Sequence, residues 1–215
     1  VPFCRANPAL GANVNVVGTV NIFEAAKKLG VNNISHASSI AVFGLAADYP
    51  DEKLAHDAPR LPTTLYGVYK TAAEDVAKVY WNEYGIRSVG LRPHTVFGPG
   101  RDQGMTSKTT VAILAAAAAK PYAIPFSGDV SWLFAGEVAS AFIRSVAQDR
   151  TGAPVFDLNG KLASVQEGID HIKALVTEGQ GLTAQTKARF EETQQQIDDY
   201  EDRLFGASDI LICPS

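Results

Sequence analysis

The chain has 215 residues, of which 46% are hydrophobic, and its formal net charge at pH 7 is −4. This length allows a buried core in one or two domains, and the mildly acidic charge gives no electrostatic basis for binding nucleic acid. The longest apolar run, residues 111–119, is far shorter than a membrane span. The two cysteines, Cys4 and Cys213, show no metal-type spacing and suit a reducing compartment. We therefore expect a cytoplasmic protein with neither nucleic acid nor membrane as partner.

The first hundred residues predict alternating helices and strands. Apolar residues recur at helical spacing over 13–29, and Gly30 ends that helix. A short strand over 34–38 follows, then a polar loop over 45–64, a helix that ends near Gly85, and a strand over 87–92 that Pro93 halts. Helices and strands that alternate with short connections predict a parallel sheet, in which 34–38 and 87–92 are neighbouring strands.

The second half of the chain is less regular. We predict helices over 108–119, 136–148, 165–176 and 185–204, and strands over 122–126 and 154–158. The strand near 154–158 is expected to return to the sheet of the first half. The helix over 185–204 is mostly charged or Gln, which favours a solvated or partner-facing position.

Two side chains on one predicted helix suggest acid–base chemistry. Tyr66 and Lys70 are four positions apart and therefore share a helix face. An ammonium beside a phenol lowers the phenol's pKa from about 10, so the pair can exchange a proton with an alcohol or carbonyl oxygen near pH 7. Hydride transfer between such an oxygen-bearing carbon and a nicotinamide needs this proton transfer. Taken alone, the spacing also fits a surface lysine beside a half-buried tyrosine.

Ligands of parallel α/β sheets bind at the carboxyl ends of the strands. Ser39 follows the first predicted strand, and residues 93–98 follow the second. The Ser39 hydroxyl suits a hydrogen bond to a substrate oxygen, although a turn cap is an equally valid interpretation. The four histidines share no ligand spacing, so we expect no metal site.

Four segments together resemble one family. They are NVVGTVNIFEAA at 15–26, SSIAVFG at 38–44, YGVYK at 66–70 and LRPHTVFGPG at 91–100. Their order and spacing resemble the NAD-dependent epimerase/dehydratase family, the extended short-chain dehydrogenases/reductases, over residues 13–100 and more loosely to about 160. The resemblance implies an α/β fold with a doubly wound, parallel, Rossmann-like sheet and a smaller C-terminal part that covers the substrate.

The resemblance also implies roles for individual residues. Tyr66 takes the position of the general acid/base, Lys70 that of the residue that lowers the tyrosine pKa and binds the nicotinamide ribose, and Ser39 that of the serine that polarises the substrate oxygen. Asn15 falls at a helix-start position near the cofactor ribose, where a purely structural cap is the alternative.

Positions that close the second strand are similar to ligand-contacting positions of the family. The backbone of Pro93 and Val96 is expected to contact the nicotinamide carboxamide. Thr95 and Arg101 are the candidate substrate-binding residues. The cofactor is expected to be NAD or NADP, with a slight preference for NAD.

The family's glycine-rich dinucleotide turn is not among these 215 residues. We therefore expect an N-terminally incomplete sheet, and weak cofactor binding by these residues alone, because that turn supplies much of the pyrophosphate's stabilisation. Residues 1–101 are expected to be the C-terminal half of a cofactor domain, and 102–215 the substrate-covering part. The resemblance further implies a homodimer through the helix that carries Tyr66.

The substrate is less defined by the sequence. No Lys or Arg lies between Lys120 and Arg144, where the family often has an arginine for the phosphates of a sugar nucleotide, and Trp132 and Phe134 offer apolar surface instead. We expect an oxidoreductase or epimerase that acts on a secondary alcohol or carbonyl of a sugar-like small molecule. Two alternatives stay open: a nucleotide-sugar epimerase or dehydratase whose bound NAD is reduced transiently, and a non-catalytic remnant that serves as a binding protein.

Overall fold

The computed structural model describes residues 1–50, 53–101, 104–148, 150–177, 191, 192 and 195. Within these residues the α-helices are α1 Pro2–Ala6, α2 Pro8–Ala12, α3 Gly18–Leu29, α4 Leu65–Tyr84, α5 Lys108–Ala117, α6 Ala135–Ala147 and α7 Val165–Thr177. The strands are β1 Asn33–Ala37, β2 Arg87–Pro93, β3 Val96–Phe97, β4 Asp129–Phe134, β5 Val155–Leu158 and β6 Lys161–Ser164. The described residues form two compact units. The first contains residues 1–94 and 137–159, and the second contains residues 95–136 and the described residues from 160 onwards. The domain division predicted after residue 101 stays a prediction.

The first unit contains a parallel sheet with the strand order β1-β2-β5. Asn33 pairs with Arg87 and Ala37 with Leu91, which confirms the predicted parallel neighbours. Consecutive side chains of a strand point to opposite faces: Arg92 contacts Glu74 of α4, whereas Leu91 borders a cavity that Ala141 of α6 also lines. Helices therefore cover both faces, as the predicted doubly wound fold requires.

The core of the first unit lies between α3, α4 and the sheet. Phe23, Ala77 and Ile86 are at most 4% exposed and form one cluster with Tyr80. Both helices end at glycines in the left-handed region, Gly30 at φ 69° and Gly85 at φ 68°, which provide the turns that lead into β1 and β2. The glycine stops thus confirm the predicted ends of α3 and α4, whereas the helical stretch that contains α3 begins before the predicted residue 13, at Pro8.

The second unit has its own sheet and core. β3 pairs with β4 in parallel, and β4 pairs with β6 in antiparallel orientation. Val111, Ala115 and Ala118 of α5 and the turn after it form a buried cluster, against which Tyr122 packs.

Three predictions for the second half differ from the structure or fall outside it. Residues 122–126 form no strand, since Pro125 lacks a backbone donor for a sheet ladder and Tyr122 packs on α5. Strands β4 and β6 lie where we predicted none. The helix predicted over 185–204 lies almost entirely outside the described residues. Among those that are described, no helix combines the length and the hydropathy that a membrane span requires.

Candidate active site

The start of α4 places the predicted tyrosine–lysine pair. Thr64 caps the helix, and its Oγ1 accepts a hydrogen bond from the backbone N–H of Gly67 at 3.1 Å. The Lys70 Nζ lies 5.5 Å from the centre of the Tyr66 ring. The same ammonium donates to the carbonyl oxygen of Ala37 at 3.1 Å. Lys70 thus anchors α4 to the carboxyl end of β1 and lies beside the phenol.

Ser39 stands two residues after the end of β1. The backbone N–H of Ser38 donates to Leu91 O at 2.8 Å and extends the ladder to the start of this turn. Ser39 then caps a short 3₁₀ turn, Ile40–Val42, and its Oγ accepts from the N–H of Ala41 at 3.2 Å. The turn-cap interpretation therefore holds. That bond uses a lone pair of the Ser39 hydroxyl and not its proton, so capping is compatible with donation to a substrate oxygen.

Gly67 brings the helix start and the serine turn together. A Cβ at this position would lie 2.0 Å from the carbonyl oxygen of Ala41 and 2.9 Å from Cβ of Pro62. The backbone of α4 therefore lies directly against the turn that carries Ser39, closer than any other residue type allows. The sequence did not suggest this role for Gly67, because nothing local to YGVYK shows which backbone faces it.

A buried charged pair joins α4 to β2. Glu74 and Arg92 are 1% and 3% exposed, and Arg92 donates from Nε to Glu74 Oε1 at 2.7 Å and from Nη2 to Oε2 at 2.8 Å. Burial alone would raise the pKa of Glu74, but the hydrogen bonds from Arg92 and Ser38, together with the positive charges of Arg92 and Arg60, hold it below its ordinary value. The pair is therefore ionised at neutral pH.

This pair was not predicted from the sequence, although each member carries a signal. Glu74 lies one turn after Lys70, between Ala73 and Ala77 on the apolar face of α4, where a carboxylate needs a buried partner. Arg92 is the penultimate residue of β2 and follows the apolar residues Val89 and Leu91. The two signals together predict an ion pair, but only the fold shows that these two residues meet.

Two histidines of the first unit are neutral at pH 7. Burial lowers the pKa of His36 to about 4, with the negative charge of Glu74 acting against this shift and the positive charge of Lys70 acting with it. Burial also lowers the pKa of His94, against the influence of Asp157. Within the described residues, no cluster of three or more His, Cys, Asp or Glu side chains is arranged to hold a metal ion.

Asn15 is not at a helix start, which corrects the position expected from the sequence. It lies in a π-helical segment, Asn13–Val17, within a helical stretch that runs without interruption from Pro8 to Leu29. Its side-chain amide donates to Gly11 O at 3.0 Å. Single π-helical turns are frequent at functional sites, and the role of Asn15 in cofactor binding stays a prediction.

The remaining predicted residues divide between the units. Pro93 is the last residue of β2 in the first unit, whereas Thr95, Val96 and Arg101 belong to the second unit. Thr95 O accepts from the N–H of Leu133 at 3.3 Å, and Arg101 Nη2 donates to Thr106 Oγ1 at 3.0 Å. Their ligand-binding roles stay predictions.

The apolar surface expected from Trp132 and Phe134 is only partly available. The Trp132 indole donates to Ala163 O at 3.2 Å, and its ring lies so close to Gly168 that a Cβ there would overlap it. Trp132 therefore packs within its own unit, between β4 and α7. Phe134 is 43% exposed. An apolar wall at these two positions is therefore a weaker reason to exclude a sugar nucleotide than the sequence suggested.

A parallel sheet with crossover helices and a Tyr–Lys pair beside the end of a strand are features of the extended short-chain dehydrogenases/reductases. Comparison with known sequences agrees. The sequence model of the NAD dependent epimerase/dehydratase family matches residues 1–159, and the chain belongs to this family.

Individual relatives differ in activity. UDP-glucose 4-epimerase of Mycolicibacterium smegmatis is 33% identical over 148 residues, which cover 65% of this chain and 45% of that protein. Uronate dehydrogenase of Pseudomonas putida is 41% identical over 78 residues, which cover 36% of this chain and 28% of that protein. The chain thus spans less than half the length of these two relatives.

Solved structures agree on the fold. The UDP-glucose 4-epimerase of Thermus thermophilus in complex with NAD superposes with a TM-score of 0.68 at 22% identity, covering 82% of this chain and 58% of that one. At this identity the likeness shows the Rossmann-type fold alone.

Proposed function

We propose that the protein is a NAD- or NADP-dependent oxidoreductase or epimerase that acts on a secondary alcohol or carbonyl of a sugar-like small molecule. The observation that carries this proposal is the approach of Tyr66, Lys70 and the Ser39 turn at the carboxyl end of β1. Lys70 and Tyr66 share one face of α4, and the Lys70 ammonium lies 5.5 Å from the centre of the Tyr66 ring. Because Gly67 has no side chain, the start of α4 can lie directly against the Ser39 turn.

The donor set fits the nicotinamide end of such a cofactor. A ribose presents two hydroxyls, and an ammonium carries three donors without a fixed direction, so Lys70 is the residue expected to hold the ribose. Asn15 and the backbone of Pro93 and Val96 are the further proposed cofactor contacts. When bound, the nicotinamide supplies the hydride acceptor or donor.

The chain's own residues handle the proton and the substrate oxygen. The Ser39 hydroxyl donates a hydrogen bond to that oxygen and orients it. The Tyr66 phenolate removes the hydroxyl proton as the alcohol becomes a carbonyl, and the phenol returns a proton in the reverse direction. The Lys70 ammonium favours the phenolate, because an opposite charge nearby lowers the cost of ionising a phenol. Thr95 and Arg101 are proposed to contact the rest of the substrate.

Two substrate classes stay open, one without and one with a nucleotide diphosphate. We favour a small polyhydroxylated or carbonyl compound without a nucleotide diphosphate. Lys and Arg are absent between Lys120 and Arg144, and a diphosphate that is buried away from water needs charge-assisted hydrogen bonds from such residues. A uronate dehydrogenase among the relatives supports this choice. The second candidate is a nucleotide-sugar epimerase, which the UDP-glucose 4-epimerase relative favours.

The deciding experiment offers free sugars, sugar acids and UDP- or dTDP-sugars to the native protein with NAD and with NADP. Net dehydrogenation accumulates reduced cofactor, which is read by absorbance. Epimerisation returns the hydride, so the new sugar is detected by chromatography without reduced cofactor. Turnover confined to sugar nucleotides would promote the second candidate, and absence of turnover and cofactor binding would leave the non-catalytic binding protein.

The tyrosine assignment has a matched control on the same helix. Tyr66→Phe should lower turnover by roughly 10²–10⁴-fold, the contribution typical of a general acid/base. Tyr84→Phe removes the same hydroxyl from a tyrosine that is 46% exposed at the end of α4 and should leave turnover unchanged. Equal effects of the two changes would contradict the assignment of Tyr66.

We also propose that the protein forms a homodimer through α4. Its outer face carries exposed apolar side chains, Leu65, Val68 and Val79, at 41%, 45% and 47% exposure. Val68 and Val79 are three helical turns apart and therefore share one face. Sedimentation equilibrium should show a dimer for the native protein and a monomer for the Val68→Asp/Val79→Asp variant. A wild-type monomer would rule the proposal out.

A further inference from the structure

A cluster of hydrogen-bonded polar side chains, Arg92, Arg60 and Ser38, surrounds the buried Glu74 carboxylate. Oε1 accepts from Nε of Arg92 at 2.7 Å and from the Oγ of Ser38. Oε2 accepts from Nη2 of Arg92 at 2.8 Å and from Nη1 of Arg60 at 3.2 Å. Each oxygen therefore has two donors, which is the full capacity expected of a buried carboxylate.

Arg92 extends this cluster to β5 and to the loop before α4. Its Nη1 donates to the carbonyl oxygen of His56 at 2.9 Å and to Asp157 Oδ1 at 3.3 Å. The backbone N–H of Asp157 in turn donates to Nδ1 of His56 at 3.0 Å. Four of the five N–H donors of the guanidinium are occupied by these partners and Glu74.

The cluster joins the elements that carry the candidate active site. Ser38 precedes Ser39, and Glu74 follows Lys70 by one turn of α4. Arg92 precedes Pro93 at the end of β2, and Ser38 N–H donates to Leu91 O beside it. A shift of any one of these elements would break a charge-assisted hydrogen bond in a buried place, where an unpaired group is costly.

Stability alone does not account for ions at these positions. Burying an ion pair removes the water bound to both ions, and the attraction between the ions only roughly offsets that cost. Proteins in which well-packed apolar side chains of similar size replace such a pair are often equally stable or more stable. What a fully bonded cluster adds is one defined geometry. The bond from Ser38 fixes Glu74 of α4 against the end of β1, and the bonds from Arg92 and Arg60 fix it against β2 and the loop before α4. Apolar contacts would leave these distances adjustable.

We propose that Glu74, held by Arg92, is a positioning residue that sets the Ser39 turn against Tyr66 and Lys70. This inference rests on the proposed function, since it concerns the geometry of that proton transfer. Glu74 is 1% exposed and both carboxylate oxygens are filled by protein donors, so its effect is expected to be indirect. It acts through Ser38 on the turn and through α4 on the tyrosine and lysine.

The test removes both members of the Glu74–Arg92 pair together, so that neither is left buried without the other, although Asp157 and Arg60 each lose one bond. The double variant Glu74→Met/Arg92→Met replaces both ions by flexible apolar side chains, and Glu74→Gln is the milder change that keeps the shape. The matched control is Asp75→Asn: this carboxylate is next in sequence and also bonds Arg60, at 2.6 Å, but its side chain is 51% exposed.

Amide hydrogen exchange reads the geometry without any substrate. The N–H groups of Ala41 and Val42 donate to Oγ and O of Ser39, so they report on the turn. We expect them to exchange at least about tenfold faster in the double variant. The Gly90 N–H, bonded to Pro154 O in the sheet, should exchange at the wild-type rate. A merely structural role predicts a uniform increase that includes Gly90.

Kinetics of the native protein supply the second measurement. Turnover should fall about 100-fold, the effect expected from a displacement of about 1 Å, while the substrate KM stays within threefold and Asp75→Asn changes neither. Unchanged exchange at Ala41 and Val42 with unchanged turnover would overturn the inference. If the double variant does not fold, Glu74→Gln should show smaller changes in the same direction, with faster exchange at Ala41 and Val42 but not at Gly90, and lower turnover. If the wild-type protein showed no turnover at all and the double variant still exchanged faster at the turn, the proposed function would be wrong and the positioning role would remain supported.

Discussion

The contact between Gly67 and Ala41 is the most direct test of the site geometry. Gly67→Ala adds one methyl group at the third residue of α4, where the backbone is helical and the side chain would otherwise be favourable. In the folded chain that methyl would lie 2.0 Å from Ala41 O, whereas real Cβ contacts are essentially never shorter than 3.0 Å. The helix start and the Ser39 turn must therefore separate by roughly 1 Å, because both neighbours at this point are backbone or proline.

The expected magnitude follows from two opposing terms. Overpacking by a methyl group costs about 1–3 kcal/mol, and the higher helix propensity of alanine offsets up to about 1 kcal/mol of this. We expect Gly67→Ala to lower the free energy of unfolding by about 1–2 kcal/mol. Because the displacement separates Ser39 from Tyr66, turnover of the native protein should fall about 100-fold, out of proportion to the stability loss.

Urea unfolding and turnover are measured beside a second glycine. Gly18→Ala in α3 introduces the same methyl group, but its nearest neighbour would be Asn13 O at 3.7 Å, an ordinary contact. That variant should be as stable as wild type or up to about 1 kcal/mol more stable. If Gly67→Ala behaved like Gly18→Ala in both measurements, the close approach of α4 to the serine turn would be refuted.

Three further predictions concern the same unit. Lys70→Met should lower both turnover and the affinity for nicotinamide cofactor, measured by calorimetry, whereas Lys78→Met on the exposed face of α4 should lower neither. The pKa of His36 is about 4 in the folded chain and 6.5 ordinarily, so between these pH values the unfolded chain binds one more proton than the folded chain. The free energy of unfolding should therefore fall by roughly 3 kcal/mol as the pH falls through that window. His36→Gln should flatten this part of the stability profile, and an unchanged slope would exclude His36 as its source. Tyr80 donates to Glu24 Oε1 at 2.7 Å, and Tyr80→Phe should lower the free energy of unfolding by roughly 1.5 kcal/mol in urea titrations, with a change near zero counting against a contribution from that bond.

Several features could be predicted from the sequence because their signals are local. The apolar periodicity and glycine stops defined α3 and α4, and Pro93 marked the end of β2. The spacing of Tyr66 and Lys70 placed both on one helix face, and the four motifs at 15–26, 38–44, 66–70 and 91–100 together identified the family. Each element signal and each single motif lies within a short continuous segment, and the order of the motifs is fixed by the chain itself.

Other predictions failed where the partners are distant in sequence. Strands β4 and β6 exist through pairs such as Trp132 with Lys161. β6, KLAS, is too short and polar to be recognised alone, whereas β4, DVSWLF, has an apolar alternating pattern that we did not interpret as a strand. Trp132 was expected to offer apolar surface but packs against Gly168. Asn15 was expected at a helix start, but the helix had already begun at Pro8.

The sequence by itself determined the family and the parallel sheet of the first unit, and it singled out Tyr66, Lys70 and Ser39 as the candidate residues. Only the tertiary structure decided how these residues are held. Glu74 and Arg92 form their bonds across 18 positions of sequence, and Gly67 meets Ala41 across a long loop. Such contacts depend on which strands and helices become neighbours, and burial turns those encounters into strong constraints, because an unpaired charge or an overlapping atom is costly only where water and free space are excluded.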